Sequence, residues 1–176
     1  MTAKHQPMIR LLTTADTAMY RDIRLEGLKL HPEAFSSTFE RESEKPLPWF
    51  EDRIIQGNIF GVFAEGELVG VAGCRPQDGP KVNHKATLWG MYVRPAARNC
   101  GLGRRLVEAV VDHAATRVEQ LQLSVVSANE AAFSLYRKMG FSEYGREMKA
   151  LKQDGRYYDE ILMVRFLGAG ACQNRM

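Results

Sequence analysis

The sequence is short of the residues that build most metal and covalent frameworks. It has three cysteines, Cys74, Cys100 and Cys172, an odd number with no close spacing. That excludes a disulfide-stapled scaffold and a cysteine zinc cluster, and it fits a reducing, cytoplasmic setting. The four histidines, His5, His31, His84 and His113, fall without metal-ligand spacing, so no metal is expected. No apolar run approaches the roughly 20 residues of a membrane span, and no charged-then-apolar leader opens the chain, so neither a membrane partner nor a signal peptide is expected. The net charge of +3 is small and dispersed, without the basic stripe and interleaved aromatics of a nucleic-acid surface. Internal repeats and linkers are absent, and no Ser-His-Asp arrangement can be assembled from the sequence.

What is there is ordinary globular composition, 45% hydrophobic and 26% charged over 176 residues. This fits one domain with a sizeable core, running from about residue 8 to 167, with a loose leader over residues 1–7 and a frayed tail over 168–176.

Met8 to Leu12 reads as a strand, and Thr13 or Thr14 as the cap of a helix carrying Met19, Ile23, Leu25 and Leu28. His31-Pro32 stops it. Glu33 to Lys45 is expected as irregular chain. Between Glu33 and Asp52 six acids (Glu33, Glu40, Glu42, Glu44, Glu51, Asp52) stand against three bases, Arg41, Lys45 and, just outside, Arg53, which reads either as a solvated loop face or as a mouth attracting a cationic amine. Pro48 suits the start of a helix through about Gln56. Ile59 to Ala64 and Leu68 to Arg75 form a hairpin around Glu65-Gly66-Glu67, and Gln77 to Lys85 a polar loop. Leu121 to Val126 is a further strand. Asn129 caps a helix with Ala132, Leu135, Tyr136 and Met139 on one face, stopped by Gly140. Met148 to Leu151 and Tyr157 to Phe166 flank an Asp154-Gly155 turn.

The informative stretch is Leu88 to Ala115. A strand (Leu88 to Val93) turns at Arg94-Pro95, crosses a loop bearing Gly101 and Gly103, and enters a helix whose Leu102, Leu106, Val107, Val110, Val111, Ala114 and Val118 make a broad apolar face. The first turn of a helix presents unpaired N–H groups and about half a positive charge, and Arg98, Arg104 and Arg105 add to it. An anion, a phosphate above all, is the natural occupant. A P-loop is excluded because Arg104-Arg105 follows Gly103, and a dinucleotide fingerprint because Leu106 stands where its third glycine belongs. The residues alone leave both a phosphate cradle and a plain connection open. Cys100, at the helix start, reads either as a small loop residue or as a thiol of depressed pKa.

The stretch MYVRPAARNCGLGRRLV resembles the acyl-CoA motif of the GNAT N-acetyltransferases, Arg/Gln-x-x-Gly-x-Gly/Ala, with Arg98, Gly101 and Gly103 in the defining places. ANEAAFSLYRKMGF is similar to a second signature of that family, and the element order β-α-α-β-β-β-α-β-α-β-β matches along nearly the whole chain. The resemblance implies an α/β (α+β) fold: a mixed, mostly antiparallel sheet with a splayed pair of parallel strands and helices on both faces. It implies acetyl-CoA as cofactor, its pyrophosphate held by the loop from Arg98 through Asn99, Cys100, Gly101, Leu102 and Gly103 to Arg104. The pantetheine would then run along Met91, Tyr92 and Val93, close to Asn129. Tyr136 is implied as the acid that helps the thiolate leave, although its place on an apolar stripe equally suits a core tyrosine.

The implied activity is acetyl transfer to the primary amine of a small molecule or peptide, directly within a ternary complex. HPEAFSSTFE resembles a loop that covers the acceptor in a subgroup of the family, which makes Glu33 and Phe35 acceptor-side residues. Tyr157, Tyr158 and Asp159 line the acceptor pocket or are ordinary sheet packing. No acid stands on the central strand to serve as base, so a noncatalytic acyl-CoA-binding module is the rival reading. A homodimer through exposed strand edges is a further expectation.

Overall fold

The computed structural model describes residues 6–168. Most of the expected leader and tail, with His5 and Cys172, lies outside the described residues.

Seven strands form one sheet in the order β1-β2-β3-β4-β5-β7-β6. In chain order they are β1 (Met8–Leu11), β2 (Ile59–Ala64), β3 (Glu67–Pro76), β4 (Lys85–Val93), β5 (Gln120–Val126), β6 (Ser142–Gln153) and β7 (Arg156–Phe166). Every neighbouring pair is antiparallel except β4 and β5. The helices are α1 (Thr17–Leu30), α2 (Phe39–Ser43), α3 (Leu47–Gly57), α4 (Leu102–Ala115) and α5 (Glu130–Lys138). The expected mixed sheet with one parallel pair is therefore present, and helices cover both its faces.

Two apolar cores hold the layers together. On one face Leu106, Val107, Val110 and Ala114 of α4 pack on Leu121, Leu123 and Met163. On the other, Tyr20, Ile23 and Leu28 of α1 and Phe50 and Ile54 of α3 pack on Leu68, Val71 and Tyr92. Each fully buried aliphatic side chain of this kind contributes about 1.5–3 kcal/mol. Leu106, Val107 and Val110 are sealed from solvent, so α4 sits rigidly and its first turn is fixed relative to β4.

Three expectations are corrected. The stretch after His31 is not irregular throughout: Phe39–Ser43 forms α2, with the Thr38 hydroxyl accepting from the Arg41 amide at 3.2 Å. Five residues give too little periodicity to be read from sequence. Second, Glu42 belongs to no solvated face or acidic mouth. It is buried at 1% exposure and grips Arg24 of α1 with two hydrogen bonds of 2.9 and 2.7 Å. Removing one partner of such a pair costs about 3–5 kcal/mol, because the other is left as a buried unpaired charge.

Third, β6 starts at Ser142, well before the expected Met148. Its residues are mostly exposed and lack alternation, as an edge strand's can. Register shifts at Glu143/Gly145 and Glu147/Leu151 interrupt the pairing with β7. Lys149 has a φ of 55° at the second shift, and its amide donates to Asp159 Oδ1 at 2.8 Å. Asp159 therefore has a structural task.

Near the start of α1, Asp16 receives Arg10 through hydrogen bonds of 2.7 and 2.8 Å and the Thr13 amide at 2.8 Å. The Arg10 guanidinium, aided by Thr13 and opposed by burial, holds the carboxyl at about 2 instead of 3.8. A depressed folded pKa stabilises above the unfolded value and loses that contribution as pH falls through the folded one. The stability difference between the native chain and Asp16→Asn, from urea melts, is therefore expected to be about 1–2 kcal/mol near pH 7, after discounting for water around Arg10, and to shrink between about pH 4 and pH 2. A difference that stays constant over that range contradicts the assignment.

Candidate active site

β4 and β5 run parallel yet pair only over Lys85–Thr87 against Gln120–Gln122. From Leu88 and Leu123 onward they part, since β5 continues along β7 while β4 continues along β3. The gap between them opens into a cleft of about 550 Å³.

A bulge in β4 shapes one wall. Val71 pairs with Tyr92 and Gly73 with Trp89, so Gly90 and Met91 together oppose the single residue Ala72. Gly90 takes a φ of 62° there. Such a bulge breaks the ladder and re-aims the backbone next to a site, here toward the side on which β5 has withdrawn.

The mouth of the cleft is the loop before α4. Asn99 and Gly101 have φ values of 62° and 74°, the left-handed geometry that turns successive amides toward one side. Gly101 is the residue before the helix, where a β-carbon would be strained. Among the described residues, the N–H groups of Asn99, Cys100, Gly101, Leu102, Gly103 and Arg104 donate to no acceptor of the protein, the first helical bond being Arg105 N–H to the Gly101 carbonyl at 3.1 Å. No acid stands in the first turn of α4, so its positive end is left uncompensated. Arg98 is tied back: Nε donates to the Val93 carbonyl at 2.9 Å and Nη2 to His31 Nε2 at 3.0 Å. An arginine only donates, so that histidine nitrogen carries the lone pair. Cys100 is exposed, with its thiol 3.4 Å from the Arg98 carbonyl oxygen.

α5 closes the inner end. Its cap is Asn129, whose side chain accepts from the Ala132 amide at 3.1 Å. Tyr136 is 6% exposed, edge-on to Phe141, with its hydroxyl 3.3 Å from the Met91 sulfur. Burial pushes its pKa well above the ordinary phenol value. A thioether is a weak acceptor, so the hydroxyl is free to turn to a better one.

The structure brings most of the expected residues together. Met91, Tyr92, Val93, Arg98, Asn99, Gly103, Asn129, Tyr136, Glu33 and Phe35 all line the cleft, and Cys100, Gly101, Leu102 and Arg104 complete the loop and first turn at its mouth. Tyr158 is not among the lining residues; it sits in β7 opposite Leu151, near Arg156. Tyr157 is exposed, within 5.1 Å of both Lys149 and Lys152.

Other lining residues escaped the sequence reading. His31, expected only as a helix stop, faces the cleft, as do Trp89 and Ser124. Nothing in a single strand's pattern announces them, because they become neighbours only when β4 and β5 diverge. Glu26 and Arg94 form a network behind the site: Tyr92 donates to Glu26 Oε1 at 2.9 Å, and Arg94 Nε lies 3.1 Å from Glu26 Oε2. Burial, then the Glu26 carboxylate, raises the Tyr92 pKa to about 12. Among the described residues no group of three or more His, Cys, Asp or Glu side chains is gathered for a metal, and no helix is long and apolar enough to cross a membrane.

The chain is similar to several known acetyltransferases. The L-methionine sulfoximine/L-methionine sulfone acetyltransferase of Pseudomonas aeruginosa is 29% identical over 150 residues, which is 77% of this chain and 84% of that protein. The L-amino acid N-acetyltransferase AaaT of Escherichia coli is 26% identical, covering 86% of this chain and 94% of its own. A mycothiol acetyltransferase of Paenarthrobacter aurescens is 34% identical over 67% of this chain, but the match spans only 36% of that longer protein. Among solved structures, a GNAT-family acetyltransferase from Streptococcus pneumoniae shares the fold with a TM-score of 0.82 at 22% identity, covering 93% of this chain and all of its own. An acetyltransferase from Salmonella typhimurium solved with its cofactor acetyl-CoA has a TM-score of 0.79, also at 22% identity, and covers 97% of this chain and 99% of its own. A family model described as the acetyltransferase (GNAT) family matches residues 25–141, from within α1 to the residue before β6 and across every wall of the cleft. The chain belongs to that family.

Proposed function

We propose that this chain is an N-acetyltransferase whose cleft takes acetyl-CoA at the α4 end and the primary amine of a small molecule at the His31–Phe35 end. The observation that carries this reading is the run of unpaired amides from Asn99 to Arg104 at the mouth of the gap between β4 and β5. Those donors suit a diphosphate, and the extended gap behind them suits a pantetheine arm. Bound acetyl-CoA would supply an acetyl group activated as a thioester.

The chain's own groups then divide the work. The backbone freed by the Gly90–Met91 bulge has an N–H to offer the carbonyl oxygen as negative charge develops there; one such donor is worth about 10²–10³ in rate. Attack forms a nitrogen–carbon bond and breaks the carbon–sulfur bond. Tyr136 meets the departing sulfur. Its raised pKa stands far above the roughly 8.5 of a thiol, so its hydroxyl stabilises the thiolate by donating a hydrogen bond more than by giving up its proton. The proton released by the amine goes to the carboxylate of Glu33, directly or through water; Glu33 lies in the cleft with Oε1 3.6 Å from His31 Nδ1.

The small-molecule reading is supported by the loop over the cleft's end and by relatives named for methionine sulfone and L-amino acids. A cytoplasmic setting goes with the exposed thiol of Cys100, which persists where disulfides do not form. Pairing of two copies along β6 goes with its exposed Tyr144 and Met148.

Two substitutions test the division. In Gly103→Val the added side chain projects into the mouth, where its β-carbon would lie 3.4 Å from the Met91 methyl. Coenzyme A affinity by calorimetry is expected to fall about tenfold or more, a loss of about 1.4 kcal/mol, while the melting temperature changes little. Unaltered affinity would take the cofactor out of this mouth. Tyr136→Phe is expected to lower turnover about 10²-fold with coenzyme A binding retained. Full turnover removes the hydroxyl from the mechanism, and tight binding with no thiol release for any amine would make the protein an acyl-CoA sensor.

A further inference from the structure

Three guanidinium groups gather around Trp89 and Gly90, which line the cleft, although none of the three is itself a lining residue, and a single carboxylate is paired with them. Arg24 is the partner of Glu42, with its guanidinium carbon 5.0 Å from the Phe35 ring. Arg53 lies 4.8 Å from the ring of Trp89 and 4.6 Å from that of Trp49, and Arg75 lies 4.5 Å from Trp89. Among the described residues neither Arg53 nor Arg75 has an ion-pair partner. The Arg53 Nε and Trp89 Nε1 donors are buried and hydrogen-bond to nothing.

Trp89 is the fixed plate of this cluster and also a wall of the cleft. Its ring lies flat against β3 because Gly73 has no side chain: a β-carbon there would come within 2.3 Å of Nε1. Two like charges stacked on one indole repel each other, and water screens this poorly at the Arg53 Nε, which is shut off from solvent, although Arg75 is exposed. In keeping with this, burial first, and then the charges of Arg53 and Arg24, press the Arg75 pKa downward. Such an arrangement is stabilised by an anion from outside the chain. The planar guanidinium fork selects a carboxylate.

We propose that Arg53 and Arg75, stacked on Trp89 beside the Gly90 bulge, form a subsite for a carboxylate carried by the amine substrate, which makes the acceptor an amino acid and not a simple amine or polyamine. This rests on the transfer reading above and specifies its acceptor. Anchoring the carboxylate beside Trp89 holds the amine near the bulged residues Gly90 and Met91, where attack is required. Of the acids of residues 33–52, read from sequence either as a solvated face or as a mouth for cations, Glu42 is consumed by Arg24, and among the described residues the arginines on Trp89 have no ion-pair partner.

The test sets a panel of L-amino acids against their own carboxamides, which have the same side chains but no carboxylate. The carboxamide has the less basic amine, so amine basicity alone favours it, and a preference for the acid reports the carboxylate. Binding is measured by calorimetry with coenzyme A present, and thiol release from acetyl-CoA is followed in parallel. At least one acid is expected to bind roughly tenfold more tightly than its carboxamide. In Arg75→Gln, and separately in Arg53→Gln, that ratio is expected to fall toward one while coenzyme A affinity is kept, which shows each variant to be folded. No acid bound better than its carboxamide, or a preference that survives both substitutions, overturns the subsite. The two readings fail separately. Thiol release with uncharged amines alone sinks the subsite and keeps the transfer. An acid preference in calorimetry without release from any amine keeps the subsite and sinks the transfer.

Discussion

The structure depends on one incomplete pairing. β4 and β5 share a ladder over three residues each and then separate, because β5 stays in register with β7 through Val126 while β4 stays with β3 through Val93. An inner strand edge left open inside a protein is costly unless something fills it, since backbone donors and acceptors need partners. An extended ligand with its own amides is the natural partner for such an edge. The fold holds this opening by anchoring both sides. α4 is sealed onto one face of the sheet by Leu106, Val107 and Val110, and α1 and α3 onto the other by Ile23, Phe50 and Ile54.

The ends of the cleft differ in how positive charge is presented. At the α4 end it comes from backbone amides and a helix dipole, with Arg98 drawn back onto Val93 and His31. Backbone donors in a left-handed turn suit a diphosphate approached closely. At the far end the charge is on side chains, Arg53 and Arg75 held on Trp89. Side-chain forks suit a smaller planar anion. The bulge at Gly90 and the hydroxyl of Tyr136 lie between these two concentrations of positive charge.

Much of the fold was legible because its signals are local. Alternating and continuous apolar runs marked β2 and β3, Asn129 and Gly140 bracketed α5, and Gly101 with Gly103 marked the start of α4. The misses share a different cause. α2 is too short to show a period, and β6 is an exposed edge whose polar residues carry no pattern. Glu42 looked like its acidic neighbours because burial is not written in composition, and its partner Arg24 stands 18 residues away on another helix.

The sequence by itself determined the strand-turn-helix unit from Leu88 to Ala115, the family motifs within it, and hence the cofactor end of the site. These depend on residues adjacent along the chain, where propensity and backbone conformation act directly. Tertiary structure alone decided which side chains meet around Trp89. His31 and Glu33, from the end of α1 and the turn after it, line the cleft with Trp89 of β4, while Arg53 of α3 and Arg75 of β3 stack on that ring, and their meeting depends on how the sheet brings distant segments together. Tertiary structure also decided the fate of Glu42, since a buried ion pair with Arg24 removed it from the acids at the surface.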